Sequence, residues 1–252
     1  MASSLFTGYT ADEVRAAERP LLDAGVPLMQ RAAAALADEL RSVLTLRGAG
    51  ARRIVALVGP GDNGGDALFA VAALARQGCP VVLVPLGGRT HEAGLAAAMA
   101  AGADLMDAFV VTPERVASLA AEADVVVDGI LGTGADVTAG LRSPAREVVA
   151  AILPVVAPQA FTGPVVVAVD LPSGIPPDGG RPIDGPVLPA AVTVTFGAVK
   201  AGLLDPSGAH LVGRIRLVDL GLQLPPRSIA DRTVRGDDGS GTSAGVQAGL
   251  EP

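Results

Sequence analysis

The most informative segment for the fold is RIVALVGPGDNGGD, residues 53–66. It begins with an apolar run, Ile54 to Val58, and continues directly into a loop that contains four glycines. A short apolar run bounded by glycine is typical of a strand buried on both faces of a sheet. Glycines after such a strand let the backbone approach a phosphate where the next helix begins. The segment therefore predicts a strand, a glycine-rich loop and a helix of an α/β fold.

The rest of the chain continues this alternation. Strands are predicted at residues 53–58, 81–85, 124–127, 165–169, 191–196 and 214–218. Helices are predicted at residues 10–23, 27–43, 66–77, 91–101, 113–121 and 144–152. Valine-rich strands that alternate with helices indicate a mainly parallel sheet with helices on both faces, a doubly wound, Rossmann-like, three-layer αβα fold. This domain is predicted for residues 1–222, and residues 223–252 are predicted to be a flexible C-terminal tail.

The composition excludes several classes of protein. The net charge is −7 and the basic residues do not cluster, which argues against a nucleic-acid partner. The single cysteine, Cys79, excludes an intramolecular disulfide framework and a CxxC metal site. The uncharged residues 148–169 are interrupted by prolines and a glycine and do not predict a membrane helix. Since residues 1–11 do not resemble a secretory signal, we expect a soluble, cytoplasmic protein.

Three predicted strands end in polar, glycine-containing loops, at residues 59–66, 128–134 and 170–174. Ligands of open α/β sheets bind beyond the carboxyl ends of the strands, so we expect the three loops to form one site. The first loop matches GxGxxG, which alone is a weak indication of a dinucleotide. An ordinary NAD-dependent oxidoreductase also needs an acidic residue about 20 positions later, and this sequence has none there.

Each loop contributes one side chain with an oxygen donor: Asn63, Asp128 and Ser173. One carboxylate with an amide and a hydroxyl suits a monovalent cation such as K⁺ better than Zn²⁺, which prefers His or Cys. The alternative is that each side chain only bonds to the backbone of its own turn. The expected convergence of the loops favours the cation site.

Lysine and asparagine are each represented by a single residue. Lys200 is the only lysine and Asn63 the only asparagine, in a chain whose positive charge otherwise comes from arginine. Either they survive by chance, or they hold positions that a substitute cannot fill. Lys200 follows the predicted strand 191–196 and so reaches the rim of the same site, where it can steady Asp170 or bind a ligand oxygen.

Four motifs, in order, resemble the YjeF N-terminal domain family of NAD(P)HX epimerases. Residues 59–66, 128–134, 167–175 and 193–203 are similar to its segments GxGNNGGDG, DxxxGTG, VAVDIPSG and TVTFGAPKPGL. The predicted helices near the amino end are similar to its opening, so the resemblance covers residues 9–222. Asp62 and Ala67 depart from the first motif, which bears on ligand affinity more than on the fold.

The resemblance implies an isomerase that interconverts the R and S epimers at C6 of hydrated NADH and NADPH (NADHX and NADPHX) in nicotinamide nucleotide repair. For this reaction we expect Asp170 and Lys200 to be the catalytic residues, with Asp170 as acid and base and Lys200 holding it in place. The resemblance implies one K⁺ per subunit bound by Asn63, Asp128 and Ser173. The implied substrate-binding residues are Asp62, Asn63, Gly64, Gly65, Asp66, Gly132, Thr133, Gly134, Ala135, Asp136, Val137, Thr138 and Asp170.

The resemblance also implies a homodimer and a functional partner, the NAD(P)HX dehydratase. We expect no dehydratase activity in this chain, because it ends soon after the predicted domain. The alternative function is a non-catalytic nucleotide-binding or protein-interaction module of the same fold. That alternative predicts a broken site, whereas Asn63, Asp128, Asp170, Ser173 and Lys200 are all present.

Overall fold

A parallel sheet of seven strands forms the centre of the computed structural model, which describes residues 6–48, 50, 52–107, 110–134, 140–156, 163–182 and 185–226. Its strands are β2 (Ile54–Val58), β3 (Val81–Pro85), β4 (Asp104–Leu105), β5 (Val125–Gly129), β6 (Val165–Val169), β7 (Val192–Phe196) and β9 (Arg214–Val218). A second, two-stranded sheet pairs β1 (Gly8–Tyr9) with β8 (Val199–Lys200). The helices are α1 (Ala11–Asp23), α2 (Leu28–Arg47), α3 (Asp62–Ala75), α4 (Glu92–Ala100), α5 (Pro113–Ala121), α6 (Ala145–Ile152) and α7 (Ala209–Val212).

The strand order of the large sheet is β4-β3-β2-β5-β6-β7-β9, and all six pairings are parallel. The chain runs outward from β2 in one direction and then returns to add β5 on its other side. The switch point, where ligands of such sheets bind, therefore lies between β2 and β5. This arrangement confirms the predicted doubly wound, Rossmann-like fold.

The strands are apolar throughout because helices cover both faces of the sheet. Ile54, Ala56 and Val58 point to one face, where they join a core formed with α2, α3 and α4. Val55 and Leu57 point to the other face, where they pack with α5 and α6. Successive side chains of a strand alternate between the two sides, so one five-residue strand contributes to both cores.

The amino-terminal segment is attached to the carboxyl side of the sheet. Gly8 pairs with Val199 and Tyr9 with Lys200. Thr10 then caps α1 in the predicted capping box, in which its hydroxyl accepts from Glu13 N and its own N–H donates to the Glu13 carboxylate. The N–H of Ala11 donates to Asp178 Oδ1 at 2.6 Å, which fixes the start of α1 to the loop after β6.

The predicted boundaries differ from the structure most at α3. The sequence predicts a helix at residues 66–77, whereas α3 begins at Asp62 and includes Gly64 and Gly65 in its first turn. The glycines indicated a loop because of their low helix propensity, but the packing of this turn requires them, as described below. The short β1, β4, β8 and α7 were not predicted, because two to four residues are too few for a periodic pattern. No helix of the described residues is both long and apolar enough to cross a bilayer.

The segments after β2 and β5 approach each other closely at Gly59. A Cβ atom added there would lie 1.8 Å from the carbonyl oxygen of Ile130, which is far inside any allowed contact. Gly59 N also donates to Gly129 O at 3.0 Å, so the two backbones are bonded as well as adjacent. Only glycine permits this contact at the switch point.

We therefore expect Gly59→Ala to lower the free energy of unfolding by about 3 kcal/mol, because backbone must move to admit the methyl group. Gly61→Ala is the matched control, since a Cβ at Gly61 meets nothing within 4 Å. The control should cost no more than about 1 kcal/mol, for a less favourable N-cap. Urea denaturation of both variants provides the measurement, and equal midpoints would contradict the assignment.

Candidate functional site

A cavity of about 1410 Å³ opens beyond the carboxyl ends of β2, β5 and β6. It contains eight of the residues that the sequence predicted for the site: Asp62, Asn63, Asp66, Gly132, Thr133, Gly134, Asp170 and Lys200. Asp128 and Ser173 lie behind its wall and are 1% exposed. The predicted residues Ala135, Asp136, Val137 and Thr138 fall outside the described part of the chain. The structure thus brings the separate loops together, as the strand order requires.

Asp170 and Lys200 form a buried ion pair at the wall of the cavity. The ammonium group of Lys200 bonds to Asp170 Oδ1, and also donates to Thr195 Oγ1 at 3.2 Å and to Phe196 O at 2.9 Å. Asp170 Oδ1 accepts further bonds from Thr195 Oγ1 at 3.1 Å and from Phe196 N at 3.4 Å. Asp170 has a φ of 64°, the only positive φ of a described non-glycine residue. Such strained conformations are concentrated at functional sites.

Asp128, Ser173 and Asn63 are joined through the backbone of Leu131. Ser173 Oγ donates to Asp128 Oδ1 at 2.6 Å, and Ser173 N donates to Oδ2 at 2.8 Å. Ser173 Oγ accepts from Leu131 N at 2.9 Å, while Asn63 Nδ2 donates to Leu131 O at 3.0 Å. Burial raises the pKa of Asp128, and the bonds from Ser173 oppose this shift. The three predicted oxygen donors therefore meet around one loop.

Gly64 and Gly65, predicted to bind substrate, do not line the cavity as the structure describes it. A Cβ at Gly64 would lie 2.2 Å from the carbonyl oxygen of Gly59, and one at Gly65 would lie 2.9 Å from the ring of His91. The first turn of α3 therefore packs tightly against the preceding loop and against the start of α4. This packing is the physical reason for glycine at both positions.

Helix α1 forms a wall of the cavity that the sequence analysis did not place in the site. Val14, Glu18 and Leu22 line it at a spacing of four residues, which puts them on one face of the helix. Arg15 Nη1 donates to Thr133 O at 2.9 Å and connects this helix to the loop after β5. In the sequence, the signal was the acidic Glu18 on the same helix face as the apolar Val14 and Leu22. A local pattern of this kind does not show which part of the protein that face packs against.

Charged side chains of both signs line the cavity. Its acidic residues are Glu18, Asp23, Asp62, Asp66 and Asp170, and Lys200 is the buried cation among them. Burial raises the pKa of Glu18, and the negative charge of Asp170 adds to this effect while Lys200 opposes it. Arg15, Arg19 and Arg142 also line the cavity. The arrangement favours a ligand, or a reaction intermediate, with positive charge near the carboxylates and anionic groups near the arginines.

Asp66 has a buried carboxyl oxygen that lacks a hydrogen-bond partner in the described part of the chain. Its Oδ1 is buried and makes no hydrogen bond to any described residue. Burial raises its pKa from 3.8 to about 8, and the charges of Asp170, Asp62 and Glu18 contribute, with Lys200 opposing. A group shifted in this way is neutral at pH 7 and can donate a hydrogen bond.

This shift makes Asp66 a source of instability at neutral pH. Between about pH 4 and pH 8 the folded chain keeps the proton that the unfolded chain loses, so the free energy of unfolding falls as the pH rises through this window. Asp66→Asn removes the titration and should gain stability relative to the wild type as the pH rises from 4 to 8, by up to about 1.4 kcal/mol per unit. Thermal denaturation at several pH values measures the difference.

Asp104→Asn is the matched control, because Asp104 is exposed on β4 and outside the cavity. Its stability relative to the wild type should not vary across the same pH range. A constant difference between the wild type and Asp66→Asn from pH 4 to pH 8 would show that Asp66 is not a buried acid.

Comparison with known proteins places the chain in a family. The model described as YjeF-related protein N-terminus matches residues 25–202. A protein of Clavibacter michiganensis subsp. michiganensis named NAD(P)H-hydrate epimerase is 49% identical, over 86% of this chain and 91% of that protein. One of the same name from Clavibacter sepedonicus is 47% identical, over 92% and 98%. The bifunctional NAD(P)H-hydrate repair enzyme Nnr of Mycobacterium tuberculosis is 43% identical over 86% of this chain, which spans 42% of that longer protein.

Among solved structures, the crystal structure of yeast ynu0 superposes with a TM-score of 0.67 at 19% identity, covering 92% of this chain and 98% of the yeast chain. At this identity the likeness shows the fold alone, and it agrees with the strand order described above. The family model spans most of the sequence, and the Clavibacter relatives are nearly half identical over almost their whole lengths. The chain therefore belongs to the family described as YjeF-related protein N-terminus.

Proposed function

We propose that this protein is an NAD(P)H-hydrate epimerase, which interconverts the R and S forms of NADHX and NADPHX at C6. Relatives with that name align over most of this chain. The observation that carries the proposal is the buried Asp170–Lys200 pair at the wall of a large cavity at the switch point. A non-catalytic module would have no use for a buried, strained carboxylate at this position.

The reaction needs a proton donor and a negative field. The substrate carries a hydroxyl group at C6, next to the ring nitrogen. When that hydroxyl is protonated, the lone pair of the nitrogen expels it as water and leaves a planar iminium cation. Water then adds to the opposite face of the ring. Carboxylates that are already oriented around the cation lower the barrier, because they need no rearrangement as the charge develops.

Asp170 is placed to exchange a proton with the substrate. The bonds that the described residues make to its carboxyl group all reach Oδ1, which leaves Oδ2 available to a ligand. Lys200 balances the charge and, with the Thr195 hydroxyl and the Phe196 N–H, fixes the orientation of the group. General acid–base catalysis depends on such fixed geometry.

The start of α3 is suited to hold a phosphate group of the dinucleotide. Its N-cap, Gly61, has no side chain to bond the free N–H groups of the first turn, so these remain for a ligand. The substrate would contact this turn at Asp62–Asp66 and the loop at Gly132–Thr138, besides Asp170. Arg19 and Arg142 line the same cavity and can balance further phosphate charge.

The donor set around Leu131 fits one K⁺ per subunit. Asn63, Asp128 and Ser173 supply an amide, a carboxylate and a hydroxyl oxygen, and no ion pair to Asp128 is found among the described residues. A fully buried carboxylate without a cation is costly, and a bound monovalent ion would offset that cost. No cluster of three or more His, Cys, Asp or Glu that could hold a metal occurs in the described residues, which disfavours Zn²⁺. When bound, the ion would supply positive charge that orders the loop between Asp128 and Gly134.

The proposal also includes two partners: a second copy of the chain in a homodimer, and an NAD(P)HX dehydratase that acts in the same repair process. An epimerase is useful where a second enzyme consumes only one epimer. The bifunctional repair enzymes among the relatives support such a link, since this chain matches a part of them. Cytoplasmic localisation is part of the same proposal.

The direct test is to incubate the purified protein with separated R and S NADPHX and to follow both by chromatography. We expect interconversion without a change in redox state. Asp170→Asn should lower kcat by about 10²–10⁴-fold, because the proton acceptor is lost. Since that change also leaves the Lys200 ammonium buried without its partner, the double variant Asp170→Asn/Lys200→Met separates catalysis from stability.

The double variant should fold with less loss of stability than Asp170→Asn alone and should remain as inactive, with its fold checked by circular dichroism. Undiminished epimerisation by Asp170→Asn would contradict the role of Asp170. Absence of epimerisation by the wild type would contradict the function itself.

The K⁺ site is tested by thermal denaturation in KCl and in N-methylglucamine chloride of equal concentration. A ligand that binds only the folded state raises Tm, and 1 kcal/mol corresponds to about 2–4 °C for a chain of this size. We expect a rise of at least about 2 °C in KCl. Asn63→Ala should abolish this difference, whereas Gln77→Ala, which removes an exposed amide, should retain it. Equal Tm values of the wild type in the two salts would contradict the site.

A further inference from the structure

Substrate contact, the role assigned to Asp66 so far, does not account for its buried carboxyl group. Asp66 lies in the second turn of α3, lines the cavity and is 9% exposed. Its Oδ1 has no hydrogen-bond partner among the described residues. A buried oxygen without a partner destabilises the folded protein, and a ligand that bonds to it would offset that cost.

The charges that face Asp66 come from several elements. Asp62 precedes it on α3, Glu18 is on α1, Asp170 follows β6 and Lys200 is on β8. Helix α2 packs against α3 with Leu28, Ala32 and other apolar side chains. The first residue before α4, His91, lies against Gly65, but its Nδ1 already accepts a bond from Gly94 N at 3.0 Å. On β5, Asp128 is bonded to Ser173.

Asp66 and Asp170 therefore share a cavity but have opposite surroundings. Asp170 has an ammonium, a hydroxyl and a backbone N–H on one oxygen, all of which stabilise its anion. Asp66 is buried and has three carboxylates near it, and both features favour its neutral form. Two carboxyl groups held in such contrasting environments are the arrangement by which one acts as acid and the other as base.

The proposed reaction has a use for two such groups. The leaving hydroxyl must gain a proton on one face of the ring, and the incoming water must lose one on the other. Asp66 follows β2 and Asp170 follows β6, and β5 lies between these strands. Two strand spacings amount to roughly 10 Å, which leaves room for a ring between carboxyl groups from the two sides.

We propose that Asp66 is a second catalytic acid/base, which donates its proton to the C6 hydroxyl as it leaves while Asp170 accepts a proton from the water that arrives. This inference rests on the proposed epimerase function. The C6–O bond breaks, and its electron pair, with the proton of Asp66, gives water. The lone pair of the ring nitrogen forms the N1–C6 double bond, and water adds to C6 and returns that pair to nitrogen. One proton thus moves from Asp66 to Asp170, and the reverse conversion moves it back.

The test compares the wild type, Asp66→Asn and Asp104→Asn with (R)-NADPHX from pH 6 to pH 9.5, after the rate without enzyme is subtracted. Asp66→Asn should lower kcat by about 10²–10⁴-fold, with a much smaller change in KM because asparagine keeps the size and a donor. The wild-type kcat should fall as the pH rises through about 8, where Asp66 loses its proton, and Asp66→Asn should lack this fall. Asp104→Asn should behave as the wild type.

Glu18→Gln separates this role from a structural one. The negative charge of Glu18 raises the pKa of Asp66, so its removal should move the alkaline fall of kcat to lower pH, whatever its effect on the rate below the fall. A group that only shapes the cavity would not transmit that shift. If the wild type is active and Asp66→Asn keeps the wild-type kcat, or keeps the alkaline fall, the proposed role of Asp66 is wrong. The epimerase function would stand in either case. A wild type without epimerase activity would overturn both.

Discussion

The ion pair between Asp170 and Lys200 connects the parts of the molecule that form the cavity. A buried charge is tolerated only when its partner is held in place, and here the partner lies 30 residues later, on β8. Because β8 pairs with β1, the same lysine anchors the amino-terminal segment. That segment leads directly into α1, whose face closes one side of the cavity. Fixing one charge therefore positions the carboxylate of Asp170, a strand and a wall of the cavity.

The acidic residues of the cavity show how stability is exchanged for chemistry. Glu18 and Asp66 have raised pKa values because they are buried near other carboxylates, and a fold selected for stability alone would not place them there. The cores on either side of the sheet are apolar and pack without such conflicts. Carboxyl groups are thus buried near one another at the carboxyl edge of the sheet, against the usual preference for apolar interiors. A cationic intermediate at this edge would benefit from their negative charge.

Much of this arrangement was predictable from the sequence. The apolar strands predicted the parallel sheet, and the carboxyl-end rule predicted that the segments at Asn63, Asp128 and Asp170 would meet. The only lysine and the only asparagine both lie at the site, so their rarity was informative. What the sequence could not show depended on tertiary contacts. The start of α3 was not predicted because its first turn contains glycines, which are needed there for packing against Gly59 and His91. The position of Glu18 over the cavity was not predicted because it follows from the short β1–β8 pairing.

The β1–β8 pairing also bears on how the protein can be handled. Gly8 and Tyr9 are the partner strand of Val199 and Lys200, so they support one wall of the cavity although they lie far from it in sequence. A recombinant version that starts after Tyr9 would remove this strand and leave the backbone around Lys200 unsupported on that side. A tag or a truncation near this strand should therefore leave Gly8 and Tyr9 in place, since they pair with the backbone at Lys200.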